Sequence, residues 1–178
     1  MKPKTKRMFS GNCRYHKYDI ARGQLETAIR LFLVDGCDMF SAVTLAAAAG
    51  EILHQLVLNA GKKPFVDYVV KVNDFRNPGK TPKRSSIISH IHNILFVNAL
   101  KHYDEKADAF VDFDAEECAL AAILKAMVDY KTLTGEHTEA MKAFLAWTYL
   151  NLNSAKIMDD YEKAPDKLKG PLSNSRKA

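Results

Sequence analysis

FSAVTLAAAAGEILHQLVLNA, Phe40 to Ala60, is the stretch that decides the fold. It is nearly free of charge and carries four alanines in a row, Ala46 to Ala49. Alanine is the strongest helix former, and its small side chain lets a neighbouring helix come close. A helix that is apolar nearly all round belongs in the middle of a bundle, covered on several sides. Glu51, His54 and Gln55 interrupt it, so the stretch reads as a core helix rather than a membrane span, and no membrane is expected as a partner.

Upstream, Asp19 to Val34 reads as a first helix, with Ile20, Leu25, Ala28, Ile29 and Phe32 recurring at helical spacing. Asp35-Gly36 ends it, and the short loop to Met39 makes the first two helices an antiparallel hairpin. Downstream, the central helix ends near Asn59-Ala60-Gly61, and Pro64 opens a shorter third helix through Phe65, Tyr68, Val69 and Val72. Its valines also permit a strand. Asn73 to Pro82 is a loop. Lys83 to Tyr103 reads as one fourth helix, with Ile87, Ile91, Ile94, Leu95 and Leu100 as its buried stripe. After an acidic connection, Asp104 to Phe113, Asp114 and Glu117 have capping-box spacing and open a fifth helix. Its core face is expected at Leu120, Ile123, Leu124, Met127 and Val128. Thr138 is placed to cap a sixth helix through Met141, Phe144, Leu145, Trp147 and Leu152. The expected architecture is an all-α helical bundle of about five to six helices. Residues 1–16 form a basic arm, 17–155 a single bundle domain, and 156–178 a charged tail.

The chain has 178 residues, which suits one domain with a real core. Its 47% apolar and 26% charged residues exclude a disordered chain. Cys13, Cys37 and Cys118 are scattered and odd in number, which argues against a disulfide framework or a zinc ribbon. The opening MKPKTKRMFSGN is basic but lacks the apolar run of a secretory signal. Together these point to a cytoplasmic protein. The net charge of +5 is uneven: residues 1–17 and 62–84 are basic, and 104–117 are acidic. Basic patches attract phosphates, so RNA is a candidate partner.

Glu51 and His54 form an i, i+3 carboxylate–imidazole pair on one helix face. Di-iron bundles use that spacing, and Glu26 of the first helix is a candidate to face it. No second Glu-x-x-His exists in the chain, so neither a metal nor another cofactor is expected. The plain alternative pairs Glu51 with an arginine or lysine and leaves His54 at the rim, because a carboxylate just after AAAAG needs a partner if buried. His90 and His92 are two positions apart on a helix and do not chelate one ion. Asn98-Ala-Leu-Lys101-His102-Tyr103-Asp104 is the second polar cluster. Histidine beside lysine is a workable phosphate-handling pair, one moving protons near neutral pH and the other stabilising anionic oxygen. The same residues at a helix end also serve to satisfy backbone carbonyls.

ARGQLETAIRLFL-DG-DMFSAVTLAAAAGEIL resembles the opening hairpin of HEPN-type helical proteins, including abortive-infection members. NALKHYDEKADAFVDF, with DYKTLTG and FLAW, resembles a group of uncharacterised bacterial helical proteins with an N-x-x-K-H-A-D motif. That second resemblance covers most of residues 19–150 and implies no activity. The HEPN resemblance implies a dimerising bundle whose catalytic members cleave RNA without metal, using an arginine, an adjacent polar residue and a following histidine. Asn98 and His102 match the polar residue and the histidine, but Val97 stands at the arginine position. Arg84 and His90 match in spacing, but Ser85 follows the arginine. The leading expectation is therefore a cytoplasmic HEPN-like homodimer that binds RNA or a protein partner in a stress or mobile-element defence context. The alternatives are a metal-independent ribonuclease using Asn98, Lys101, His102 and Asp104, or Arg84 and His90, and a ligand- or metal-binding bundle centred on Glu51 and His54. Phe110, Phe113 and Trp147 are the apolar residues offered for a subunit interface.

Overall fold

In a computed structural model the chain is all-helical among its described residues, which are 12–102, 109–153, 159, 162, 163 and 165. Asp104 and Tyr103, most of the 1–16 arm and most of the 156–178 tail lie outside the described residues. Among the described residues seven α-helices are delimited: α1 (Lys17–Arg30), α2 (Met39–Asn59), α3 (Phe65–Arg76), α4 (Arg84–Ile94), α5 (Val97–Lys101), α6 (Ala115–Thr134) and α7 (Glu139–Asn151). A π-helical turn, Leu31–Asp35, extends α1. The valine-rich third segment is helix, not strand.

α2 is the central helix, and α6 is its most extensive neighbour. α2 buries Ala42, Val43, Ala46, Ala49, Gly50, Leu53 and Val57, while α6 buries Ala119, Ala122, Ile123, Ala126 and Met127. Small residues recur on both faces, so the two helices approach closely. α1 covers another side of α2 with Ala21, Leu25, Ala28 and Ile29. By length and composition α2 would also cross a membrane, and its cover by α1 and α6 accounts for that apolar composition.

The helix ends follow their local chemistry. Gly36 takes a left-handed φ of 62° and its N–H donates to the Leu31 carbonyl at 2.9 Å. Asp38 caps α2 by accepting the Ser41 N–H at 3.0 Å, and the Ser41 side chain, then this backbone N–H, hold its carboxyl below the usual range. Asp114 caps α6 through the Glu117 N–H at 2.9 Å. Thr138 precedes α7 as expected, but its hydroxyl makes no capping bond and is buried without a partner.

The expected single helix over Lys83–Tyr103 is two helices. Phe96 takes a left-handed φ of 53° and breaks it between α4 and α5. Its ring stacks on Phe113 at 4.8 Å, with Phe40 a further 5.9 Å from Phe113. Trp147 lies edge-on to Phe32 at 4.9 Å. Of the three residues offered for a subunit interface, Phe113 and Trp147 thus pack within the chain, and Phe110 is 83% exposed.

Candidate functional site

A chamber with a mixed polar and apolar lining lies between α2, α4 and α6. It has a volume of about 300 Å³ and is lined by Glu51, His54 and Gln55 from α2, His92 from α4 and Lys125 from α6, with Val66, Ile88 and Ile91 as apolar wall. Glu51 and His54 enter it together because they lie one helical turn apart.

Three cation–carboxylate pairs surround the chamber. Lys101 Nζ, at the end of α5, donates to Glu51 Oε1 at 3.2 Å. Arg84 Nε, at the start of α4, stands 2.9 Å from Asp67 Oδ1 on α3, although the two are not aligned as a hydrogen bond. Lys125 Nζ is 4.0 Å from Asp129 Oδ2, one turn along α6. The third pair is the loosest and the most deeply buried. Asp129 is fully buried: its Oδ1 accepts the Phe65 N–H at 2.6 Å, fastening the start of α3 to α6, while its Oδ2 has no hydrogen-bond partner.

Gly50 makes room for the lysine. A Cβ at this position would lie 3.2 Å from Lys125 Nζ and 3.6 Å from the Ala126 Cβ. Glycine inside a helix costs about 1 kcal/mol relative to alanine. Here it opens α2 to the ammonium group that faces it.

Burial dominates the electrostatics. It pushes the Lys125 ammonium down from its ordinary pKa, against the pull of Asp129 and Glu51. It pushes the Asp129 carboxyl up, against the Phe65 N–H and Lys125. Burial thus works against the charge on each member, and at 4.0 Å their mutual attraction offsets that only in part. His54 is buried, and desolvation followed by the Lys125 and Arg84 charges lowers its pKa. The result is a neutral imidazole beside an amine that has one carboxylate within ion-pair reach among the described residues. Such an arrangement can hold an anionic group on the amine and donate or accept a hydrogen bond through the imidazole.

The sequence candidates divide between this chamber and the surface. Glu51 and His54 line the chamber, and His54 is buried rather than at the rim. The Glu51–Lys101 pair joins the two polar clusters of the sequence. Asn98 and His102 are exposed and do not line the chamber, and the His102 N–H donates to the Asn98 carbonyl at 2.9 Å. Asp104 lies outside the described residues. Arg84 is ion-paired with Asp67 but leaves buried guanidinium N–H groups without a hydrogen-bond partner, while His90 is exposed in a shallow depression with Ser85, Ser86, Ser89 and Asn93. Glu26 lies near Tyr130, whose hydroxyl is 2.6 Å from that of Tyr18, and does not line the chamber with Glu51. Among the described residues no three His, Cys, Asp or Glu side chains come together to hold a metal ion.

Sequence reading missed Lys125, Asp129 and Asp67. The available signal was a Lys–Asp pair at i, i+4 set among alanines that prove buried, Ala122 and Ala126. Compared with protein families, curated proteins and solved structures, the chain matches none.

Proposed function

We propose that this protein is a ligand-binding helical bundle whose site is the chamber around Lys125, Glu51 and His54, and that its ligand is a small anion. The observation that carries this reading is the Lys125 amine: it reaches a cavity of about 300 Å³, faces a glycine, and has its carboxylate partner only at 4.0 Å. A cavity of that size is at the lower end for small-molecule sites. A buried cation whose own counter-ion is loose gains most from a ligand that brings a negative charge. Glu51, held by Lys101, gives the chamber a polar wall on its α2 side. Thermal unfolding with phosphate, acetate and larger carboxylates, in wild type and Lys125→Met, tests the reading. A ligand at about a hundred times its Kd stabilises by about 2.7 kcal/mol, which corresponds to a rise in Tm of about 5–10 °C at this chain length. Equal stabilisation of Lys125→Met would refute the site.

A second reading, an RNA-binding HEPN-like homodimer, is favoured by the exposed Ser85, Ser86, Ser89, His90 and Asn93 face of α4, next to the basic 62–84 segment. Phosphate contacts there would make affinity fall steeply with salt. His90→Ala and His102→Ala would reduce RNA binding or cleavage per folded molecule while leaving Tm within about 2 °C of wild type. A chain that stays at about 20 kDa in light scattering at every concentration, with RNA affinity that ignores salt, would remove this reading.

A further inference from the structure

Lys125 also reaches a second space. A groove of about 580 Å³ runs between α3, α4 and α6, and the lysine forms part of its wall. The rest of the wall is mainly hydrocarbon: Phe65 and Val69 from α3, Ile87, Ile91 and Ile94 from α4, and Ala121 from α6. Ile94 is 51% exposed and Ala121 is also exposed, so the groove opens to solvent. Ser86 and His90 add polar groups to the lining.

We infer that the anion is the head of an amphipathic monocarboxylate, with its carboxylate on Lys125 Nζ and its hydrocarbon body in the α3–α4–α6 groove. This rests on the reading of Lys125 as an anion site. It adds the class of ligand and the space the ligand fills. The charge balance selects a monoanion. Arg84 and Lys101 each stand beside a carboxylate, Asp67 and Glu51, at 2.9 and 3.2 Å, whereas Lys125 is 4.0 Å from Asp129, so Lys125 is the most loosely paired of the three cations. A monoanion matches that cation, and Glu51, which faces the chamber on the α2 side, opposes a second negative charge. The groove selects the body. Its mainly apolar wall offers burial to methylenes and only Asn73, Ser86 and His90 as partners for hydroxyls, so a hydrophilic acid pairs fewer of its polar groups there.

Calorimetric titration of the full chain with butanoate, hexanoate and octanoate tests this directly. Each methylene removed from water tightens binding by about fourfold, so affinity rises by about 15-fold from butanoate to hexanoate, at one ligand per chain. Octan-1-ol, which keeps the chain and lacks the charge, binds more weakly than octanoate to wild type and equally to Lys125→Met. Ala121→Phe, a substitution at an exposed position that fills the groove, abolishes octanoate binding but preserves the stabilisation by acetate. If acetate and phosphate bind in a Lys125-dependent way with no gain from chain length, the ligand class is wrong and the anion site stands. If no anion binds, both fail. Octanoate binding that survives Lys125→Met unchanged, or Ala121→Phe unchanged, also overturns the inference.

Discussion

Replacing Asp129 should loosen the bundle where α3 meets α6, and the size of the effect follows from two contacts. Asp129 Oδ1 accepts the Phe65 N–H at 2.6 Å, at the first position of α3. A hydrogen bond to a charged acceptor contributes about 1.5–3 kcal/mol, and Asp129→Ala leaves that N–H without it. The same substitution strips Lys125 of its counter-charge. Breaking a well-made buried pair costs about 3–5 kcal/mol, but this pair is 4.0 Å apart and burial works against the charge on both members. Removing a carboxylate that is costly to ionise returns part of the loss. The expected net destabilisation is about 2–3 kcal/mol, a fall in Tm of about 5–10 °C for a chain of this size. Asp129→Asn keeps an acceptor for Phe65 and loses only the charge, so it should cost about 1 kcal/mol. Urea unfolding of the three proteins, with the slope checked for constancy, measures the difference. An Asp129→Ala protein as stable as wild type would show that α3 does not depend on this anchor. Equal losses in the two variants would assign the effect to charge rather than to the hydrogen bond.

Three further outcomes follow from the same geometry. Gly50→Ala gains helix propensity, so stability should hold or rise by up to about 1 kcal/mol, while the Lys125 ammonium 3.2 Å from the new Cβ shifts and anion affinity drops; a loss of stability with affinity intact would refute the role given to Gly50. Ala46→Leu, at a fully buried position of the α2 seam, should cost about 1–3 kcal/mol by overpacking, and Ala48→Leu, half-buried, clearly less; the reverse order in urea unfolding would misplace the seam. His54 has a folded pKa below 6.5, so between that value and 6.5 the unfolded state holds more protons: stability is present above this window and is lost as pH falls through it. His137 shifts in the same direction, so His54→Gln should flatten only part of the loss as pH falls below 6.5, and an unchanged profile would show that His54 stays solvated.

The bundle was legible because its helices announce themselves locally. The alanine run, the Asp114–Glu117 cap and the Asp35-Gly36 stop each depend on a few adjacent residues, and each appears where expected. The site was legible only in part. Glu51 and His54 stood out because they break an apolar run, and Lys101 because it belongs to a dense polar cluster. Nothing local links residue 51 to residue 101; that contact is made by the fold. Lys125 and Asp129 look like an ordinary surface pair at i, i+4, and only the packing of α6 against α2 and α3 turns that face inward. The split of the expected fourth helix was hidden for a different reason. No glycine or proline marks it, and a phenylalanine carries the left-handed turn.

That turn connects strain to the site. A bulky residue at positive φ costs about 1–3 kcal/mol, so the surroundings of Phe96 must supply at least as much. They include its stack on Phe113 and the burial of Leu95 and Val97 on either side of it. In return the chain changes direction, and α5 packs against α2. An uninterrupted α4 would carry Lys101 onward along its own axis. The bend instead brings its ammonium 3.2 Å from Glu51, at the wall of the chamber. An ion pair with Glu51 about half exposed contributes only about 0.2–1 kcal/mol, less than the strain at Phe96. The bend is thus held by aromatic and aliphatic packing, and the ion pair is its consequence. For the chamber that order matters. Lys101 neutralises Glu51 without having to anchor α5, so Lys125 is left as the cation whose charge a ligand can still answer.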